Sequence, residues 1–276
     1  LGKKVIYDVH EDYPETIPMK EIFPKFIRKF SGLTIKIIEQ IFARFSNAVI
    51  VVTPSIYERF IKYTKNTYAV HNYPIIKPHK FIPWNERKDD VFYIGSIAQN
   101  RGIYEMIKAI GLVQKKYSVK LVLAGSFTSD FLEREIKAQP EFVFVDYKGF
   151  IDPVEAELIK ERVKIGLIVL HPEPRYQVSL PVKFFEYMAA GIPVIASDFP
   201  LWRKIVEEAN CGLLVNPKKP ENIADAIVSI LKNPEKSETM GKCAYDWVRK
   251  NYSWENEQKT LLDLYNTLVS KTSKHS

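Results

Sequence analysis

Lys183 and Glu186 sit three apart in SLPVKFFEYMAAGIPVIASD, residues 179–198, within a short helical pattern that stops at Gly191 and runs straight into a strand-like PVIAS. Pro181 near the helix start leaves the backbone N–H groups there pointing outward. A helix N-terminus favours anions, and Lys183 adds a positive charge at the same end. Glu186, one turn along the same face, could accept two hydrogen bonds from a vicinal diol such as a ribose. The competing reading is an i,i+3 salt bridge on a helix, worth a few tenths of a kcal/mol.

Two further stretches carry residues of the right type. GSIAQNRG, 95–102, is a loop of small residues after a strand, with Gly95 and Ser96 at its start and Arg101 opening the next helix. That layout suits a phosphate, although an ordinary βα loop with a solvated arginine has the same spacing. YDVHEDYPE, 7–15, ends a strand in His10 and acids. His10 could donate a hydrogen bond or carry a proton near neutral pH, although most single histidines do neither. The chain has no GxGxxG, no GxxxxGK[ST], no GxSxG and no HExxH. No DxD pair follows a strand, so a divalent metal has no evident ligands. A bound phosphate would have to be neutralised by the protein's own cations and helix ends.

The elements that must position these residues follow from period. VFYIG (91–95) precedes a helix near 103–116, VKLVLAG (119–125) one near 129–137, and FVFVDY (142–147) one starting at Asp152, an N-cap followed by Pro153. KIGLIVL (164–170) leads into the helix of 182–190, PVIAS into one near 200–208, and GLLV into one beginning at Pro220. Continuous apolar strands alternating with helices predict a doubly wound α/β domain with a parallel sheet. Residues 1–66 carry two strands, KVIYD and NAVIVVT, with helices between them, which predicts part of a second such domain. A linker spans 67–90, the main domain 91–250, and a C-terminal helix with a polar tail 251–276.

The chain has 276 residues, 46% of them hydrophobic, enough for one large core or two small ones. Its two cysteines, Cys211 and Cys243, lie outside any CxxC or Cys/His spacing. This fits a reducing, cytoplasmic setting and argues against a disulfide framework or a zinc site. No apolar run is long enough to span a bilayer, and the start has no signal-peptide layout. The net charge is +7, and residues 1–65 hold 11 Lys/Arg against 7 Asp/Glu, so over half of the excess lies in the first quarter. KEIFPKFIRKF, 20–30, places Ile22, Phe23, Phe26, Ile27 and Phe30 on one helical face with Lys20, Lys25, Arg28 and Lys29 elsewhere. Such a face could rest on an anionic bilayer or pack on its own sheet. Nucleic acid is disfavoured, because the charge forms no aromatic-interleaved basic stripe.

With these residues laid out, the chain resembles the retaining glycosyltransferases of family 4, which have the GT-B fold of two Rossmann-like domains. The matching pieces occur in the family's order: YDVHEDYPE, AVIVVTPSIYERF, VHNYP, YIGSIAQNRGIYEMIKAI, VKLVLAGS, YKGFIDPVE, SLPVKFFEYMAAGIPVIASD, NCGLLVNPKKPENIADAI and YSWENEQKTLLDLY. The resemblance implies a fragment that lacks the first part of the N-terminal, acceptor-side domain and is inactive in transfer by itself.

It also implies a donor site for a nucleoside diphosphate sugar, with no other cofactor and no metal. Glu186 matches the second of two glutamates spaced eight apart, the one that holds the ribose. Val178 stands where the first would be, so the usual acidic contact to the sugar is missing, while Gln177, Val178, Ser179 and Leu180 still offer backbone N–H groups. Ser96 falls at the family's first phosphate cation and Arg101 at its second, with Lys183 a substitute for the lost charge and Gly95 beside them. Gly149, Phe150, Ile151 and Asp152 match the loop that pairs with the base, and His10 the histidine at the transferred sugar. Transfer would retain anomeric configuration, with Arg101 and Lys183 supporting the departing diphosphate and a glycan or lipid-linked acceptor attacking from the same face. The sugar would serve a cell-surface polysaccharide or glycolipid, with UDP as the preferred nucleotide. The alternatives are a non-catalytic nucleotide-sugar-binding module and a nucleotide-sugar epimerase on the same fold.

Overall fold

The computed structural model describes residues 3–19, 24–76 and 80–270, without the side chains of residues 19 and 25–29. In chain order the first elements are β1 (Ile6–Val9), α1 (Tyr13–Thr16), α2 (Lys25–Phe45), β2 (Ala48–Val51), α3 (Pro54–Phe60) and β3 (Thr67–Ala69). Next come β4 (Lys88–Ile94), α4 (Ile103–Val113), β5 (Leu121–Ala124), α5 (Asp130–Lys137), β6 (Val145–Gly149), α6 (Pro153–Arg162) and β7 (Val163–Ile168). The chain ends with α7 (Pro174–Gln177), α8 (Val182–Ala189), β8 (Val194–Ser197), α9 (Pro200–Ala209), β9 (Gly212–Val215), α10 (Pro220–Lys232), α11 (Pro234–Asn251) and α12 (Trp254–Ser270).

These elements form two compact units. The first draws on the chain up to Ile75, on Val178–Leu180 and on the stretch from Ser253 onward; the second holds Ile76–Gln177 and Pro181–Tyr252. In the first unit, β1, β2 and β3 form a parallel sheet in that order. All four residues of β2, AVIV, are buried, as expected of a strand covered on both faces. One face packs Val49, Val51, Ile56 and Phe60 together, and the other packs Ala48 and Ile50 against Leu264 and Leu268 of α12. β3 falls in the stretch read from sequence as linker. It is three residues long in a polar context, too short to show a period, and is held by Val49 N–H to Asn66 O and Val70 N–H to Val51 O.

The second unit is the doubly wound α/β domain expected from the apolar runs, a six-stranded parallel sheet in the order β6-β5-β4-β7-β8-β9. The chain runs outward from β4 through β5 to β6, then returns to β7 on the other side of β4. This reversal opens a crevice beyond the carboxyl ends of β4 and β7, where open α/β sheets bind ligands. Val91 and Tyr93 of β4, Leu121 and Leu123 of β5 and Ile165 and Leu167 of β7 share one core with α4 and α10.

Asp152 caps α6 as its sequence position predicts, its carboxylate accepting from the N–H groups of Val154 (2.8 Å) and Glu155 (2.9 Å). FVFVDY departs from expectation. Pro140–Phe144 forms a tight 3-10 turn and pairing starts only at Val145. Pro140 presets a helical φ, and Phe142 and Phe144 reach the core from that turn, which mimics the alternation of a strand. Within the amphipathic stretch 20–30, residues 20–23 and the side chains of 25–29 lie outside the described residues, as does the polar tail 271–276.

Candidate functional site

β4 leads into Gly95 and β5 into Gly125, both with left-handed backbone, φ 136° and 133°. A Cβ on Gly125 would overlap the Gly95 carbonyl oxygen, so the end of β5 comes this close to the end of β4 only as a glycine. A Cβ on Gly95 would lie 2.6 Å from Lys183 Nζ and 3.8 Å from an Arg101 guanidinium nitrogen. One bare glycine is therefore flanked by two cations from different elements, Arg101 after β4 and Lys183 from the first turn of α8.

α8 is placed by its apolar residues. Phe184, Phe185, Tyr187 and Met188 are buried, and the Tyr187 hydroxyl accepts from Ile94 N–H (3.2 Å), tying α8 to the end of β4. That docking sets Lys183 above Tyr93, with Nζ 4.3 Å from the ring centroid. The stem of Lys183 is partly exposed but its amine nitrogen is shielded from solvent and, among the described residues, has no hydrogen-bond partner. Burial, and after it the Arg101 charge, push its pKa down to about 7, with Glu186 opposing. A shielded amine beside a guanidinium with no acceptor is an arrangement an anion would complete.

The i,i+3 salt bridge does not form. Glu186 turns instead toward α6, where its Oε2 lies 3.6 Å from Nζ of Lys160. The Lys160 side chain is only 3% exposed, and its Nζ also donates to Glu157 Oε1 at 2.6 Å. Both helices are anchored from behind by buried Arg87, which donates to Lys160 O (2.9 Å) and Val163 O (3.2 Å) at the end of α6 and to Ala190 O (2.7 Å) at the end of α8. Burial lowers the Arg87 pKa to about 10.

Past β7, the Tyr176 ring has Arg101 at 5.8 Å and Arg175 at 4.7 Å from its centroid. Arg175 is also held by Glu173 (2.9 Å), and Gln177 donates to Pro172 O at 3.3 Å. A cavity of about 540 Å³ opens here, lined by Ser96, Gln99, Asn100, Arg101, His171 and Arg175 among others. A second, of about 480 Å³, is lined by Gly95, Ser96, Gly125, Phe127, Phe150 and Ile151 among others. Ser96 and Thr128 line both cavities.

The structure thus brings together Gly95, Ser96, Arg101, Lys183, Glu186, Phe150 and Ile151 at the carboxyl ends of the second unit's strands. Gly149, at φ 66°, turns the chain after β6 and its carbonyl accepts from Gly125 N–H at 2.7 Å. His10 and Val178–Leu180 belong to the first unit. There His10 follows β1 with Nε2 3.1 Å from Asp8, both side chains more than half exposed, and Val178 is exposed. Sequence reasoning missed Lys160, Tyr93 and Arg175. Tyr93 and Lys160 carry no local signal, because a strand tyrosine and a helical lysine are ordinary until the neighbouring elements are placed.

Residues 75–247 match the model of the family described as Glycosyl transferases group 1. Over 182 residues the chain is 29% identical to an uncharacterized glycosyltransferase of Methanocaldococcus jannaschii, covering 63% of this chain and 44% of the relative. It is 28% identical over 177 residues to the alpha-D-kanosaminyltransferase of Streptomyces kanamyceticus, covering 63% and 45%. The chain therefore spans just under half the length of these curated relatives. Among solved structures, sucrose-phosphate synthase from Thermosynechococcus elongatus superposes with a TM-score of 0.72 at 22% identity, over 96% of this chain and 68% of that one. Anabaena HepE, solved in complex with UDP and glucose, gives 0.70 at 17% identity, over 96% and 72%. These neighbours share the α/β fold with parallel sheets. The family match covers more than half of the chain, which belongs to the glycosyl transferases group 1.

Proposed function

We propose that this chain takes part in retaining transfer of a hexosyl group from a nucleoside diphosphate sugar, UDP-linked by preference, to a glycan or lipid-linked acceptor in surface polysaccharide or glycolipid synthesis. The observation that carries the reading is the shielded amine of Lys183, without a partner among the described residues, beside Arg101 and Gly95. The diphosphate lies over Gly95, its charge met by Lys183, Arg101 and the N-terminus of α8. Glu186 accepts from the ribose hydroxyls, and the Gly149–Ile151 loop receives the base. The bond between the anomeric carbon and the phosphate oxygen breaks, its electron pair leaving with the diphosphate. The acceptor oxygen bonds the same carbon on the same face and gives its proton to the departing phosphate. The protein's contribution is charge stabilisation and positioning. Because the protein's own cations neutralise the diphosphate, the reading requires no metal.

Titration with UDP, GDP, ADP and CMP in the presence of a chelator tests the reading. Binding selective for UDP is expected, and Glu186→Ala should weaken it roughly a hundredfold or more, the size of two lost hydrogen bonds to a charged acceptor. Equal binding by the variant would remove Glu186 from the site.

The membrane enters through α2. Phe30, Leu33, Ile37, Ile41 and Phe45 recur every three or four residues and are all exposed, Phe45 to 85%. The helix carries Lys25, Arg28, Lys29, Lys36 and Arg44 against a single acid, Glu39, which is buried. An apolar stripe on a helix whose sequence carries a net positive charge suits an anionic bilayer surface. The chain should float with vesicles containing anionic lipid and stay behind with neutral ones, and Phe45→Glu with Ile41→Glu should abolish flotation. Undiminished flotation of that variant would rule α2 out.

A further inference from the structure

Lys160 plays no part in any step above, yet its ammonium is among the most deeply enclosed charges of the second unit. Its backbone carbonyl is fixed by Arg87, which also grips the end of α8 through Ala190 O. The stem therefore has little freedom in where it delivers its charge. Two carboxylates face that charge: Glu157 from its own helix at 2.6 Å and Glu186 from α8 at 3.6 Å. Glu157 is about half exposed, so water screens it and competes for its partner, whereas Glu186 is only a third exposed.

We propose that Lys160 is a positioning residue for Glu186, steadying one carboxylate oxygen from the protein side so that the carboxylate presents its other lone pairs to the vicinal diol of a ribose. This rests on the donor-site reading of Glu186 and deepens it. A glutamate on an exposed helix turn has three rotatable bonds and loses much of its acceptor strength to conformational averaging. A buried cation behind it selects the rotamer that faces the ligand, as second partners do for catalytic and metal-binding side chains. With one oxygen engaged by that cation, the carboxylate keeps acceptor sites for two hydroxyl donors.

The test compares UDP with 2′,3′-dideoxy-UDP, whose ribose offers nothing to Glu186. The ratio of the two affinities reads the Glu186–ribose contact and is insensitive to general loosening of the fold. Wild type should prefer UDP, and Glu186→Ala should erase the preference. Lys160→Met should lower the ratio about five- to tenfold, by weakening UDP and leaving the dideoxy nucleotide within about twofold. Lys160→Arg should restore most of it. If Lys160→Met does not melt cooperatively, Glu157→Gln decides the matter from the exposed side of the pair. Freed from its other carboxylate, Lys160 should serve Glu186 better, and the ratio should rise by about twofold or more. A wild-type ratio near one, or no UDP binding, removes the donor-site reading and this inference with it. A preference lost in Glu186→Ala but intact in Lys160→Met, or unchanged in Glu157→Gln, overturns the role of Lys160 alone.

Discussion

At pH 6 the Lys183→Met chain should melt above the wild type and bind UDP some ten to a hundred times more weakly. Both effects have one origin. The amine is shielded and, among the described residues, lacks an acceptor; burial first and the neighbouring Arg101 charge second bring its pKa to about 7, well under the ordinary lysine value of 10.5. Between pH 7 and 10.5 the unfolded chain thus carries more protons than the folded one, so this group's effect is a stability that rises with pH across that window. Below pH 7 the folded state bears the full penalty of a buried, uncompensated charge. Methionine has a similar volume and removes that penalty, about 2 kcal/mol or several degrees in melting temperature for a domain of this size. The gain should shrink steadily toward pH 9. A diphosphate supplies the missing partner, and charge-assisted hydrogen bonds of about 1.5–3 kcal/mol set the loss in affinity. Stability stored as strain at a binding site commonly behaves this way. Melting below wild type at pH 6, with unchanged UDP affinity, would show that Lys183 is a fold residue.

The largest loss of stability should come from Arg59→Met in the first unit. Glu39 of α2 is 2% exposed and its carboxylate meets the Arg59 guanidinium, which also lies 3.2 Å from Asp12 in the stretch following β1. Burial raises the Glu39 pKa, opposed by Arg59. Removing the cation strands a buried carboxylate and should destabilise by about 3–5 kcal/mol, whereas Glu39→Met with Arg59→Met should recover most of that. The sign with pH is distinctive. A carboxyl whose folded pKa is raised binds a proton more readily in the folded chain, so the deficit is full well above its folded pKa and relieved as pH falls toward the ordinary 4.5. Denaturant melts of the three variants at pH 7 and pH 4.5 check this, and a deficit that grows on acidification would contradict it.

The parallel sheet of the second unit was legible because both of its faces are covered. Runs such as LVLA and VIAS are buried at every position and almost wholly apolar, and the residues between them carry helical period and caps such as Asp152. Where local cues and tertiary demand parted, the sequence misled. Phe142 and Phe144 alternate like a strand because a 3-10 turn aims both at the core, and β3 is too short and polar to announce itself. Within the candidate site, Gly95, Arg101, Lys183 and Glu186 are the residues that type and spacing single out. What could not be read was how the two charged residues of α8 would divide. The i,i+3 spacing suggests a mutual salt bridge, yet docking of α8 by its aromatic face sends Lys183 over Tyr93 and Glu186 toward Lys160. Those partners lie far away in sequence, and only the assembled sheet brings them near.

The most direct measurement is calorimetric titration of UDP into the chain at pH 7.5 with a chelator present, repeated in two buffers of different ionisation enthalpy. The account predicts one site whose occupation takes up a fraction of a proton, because the diphosphate returns Lys183 to its charged form, and predicts that the uptake vanishes in Lys183→Met. Binding without proton uptake, or uptake that survives the substitution, would contradict it, as would a folded chain that binds no UDP at all.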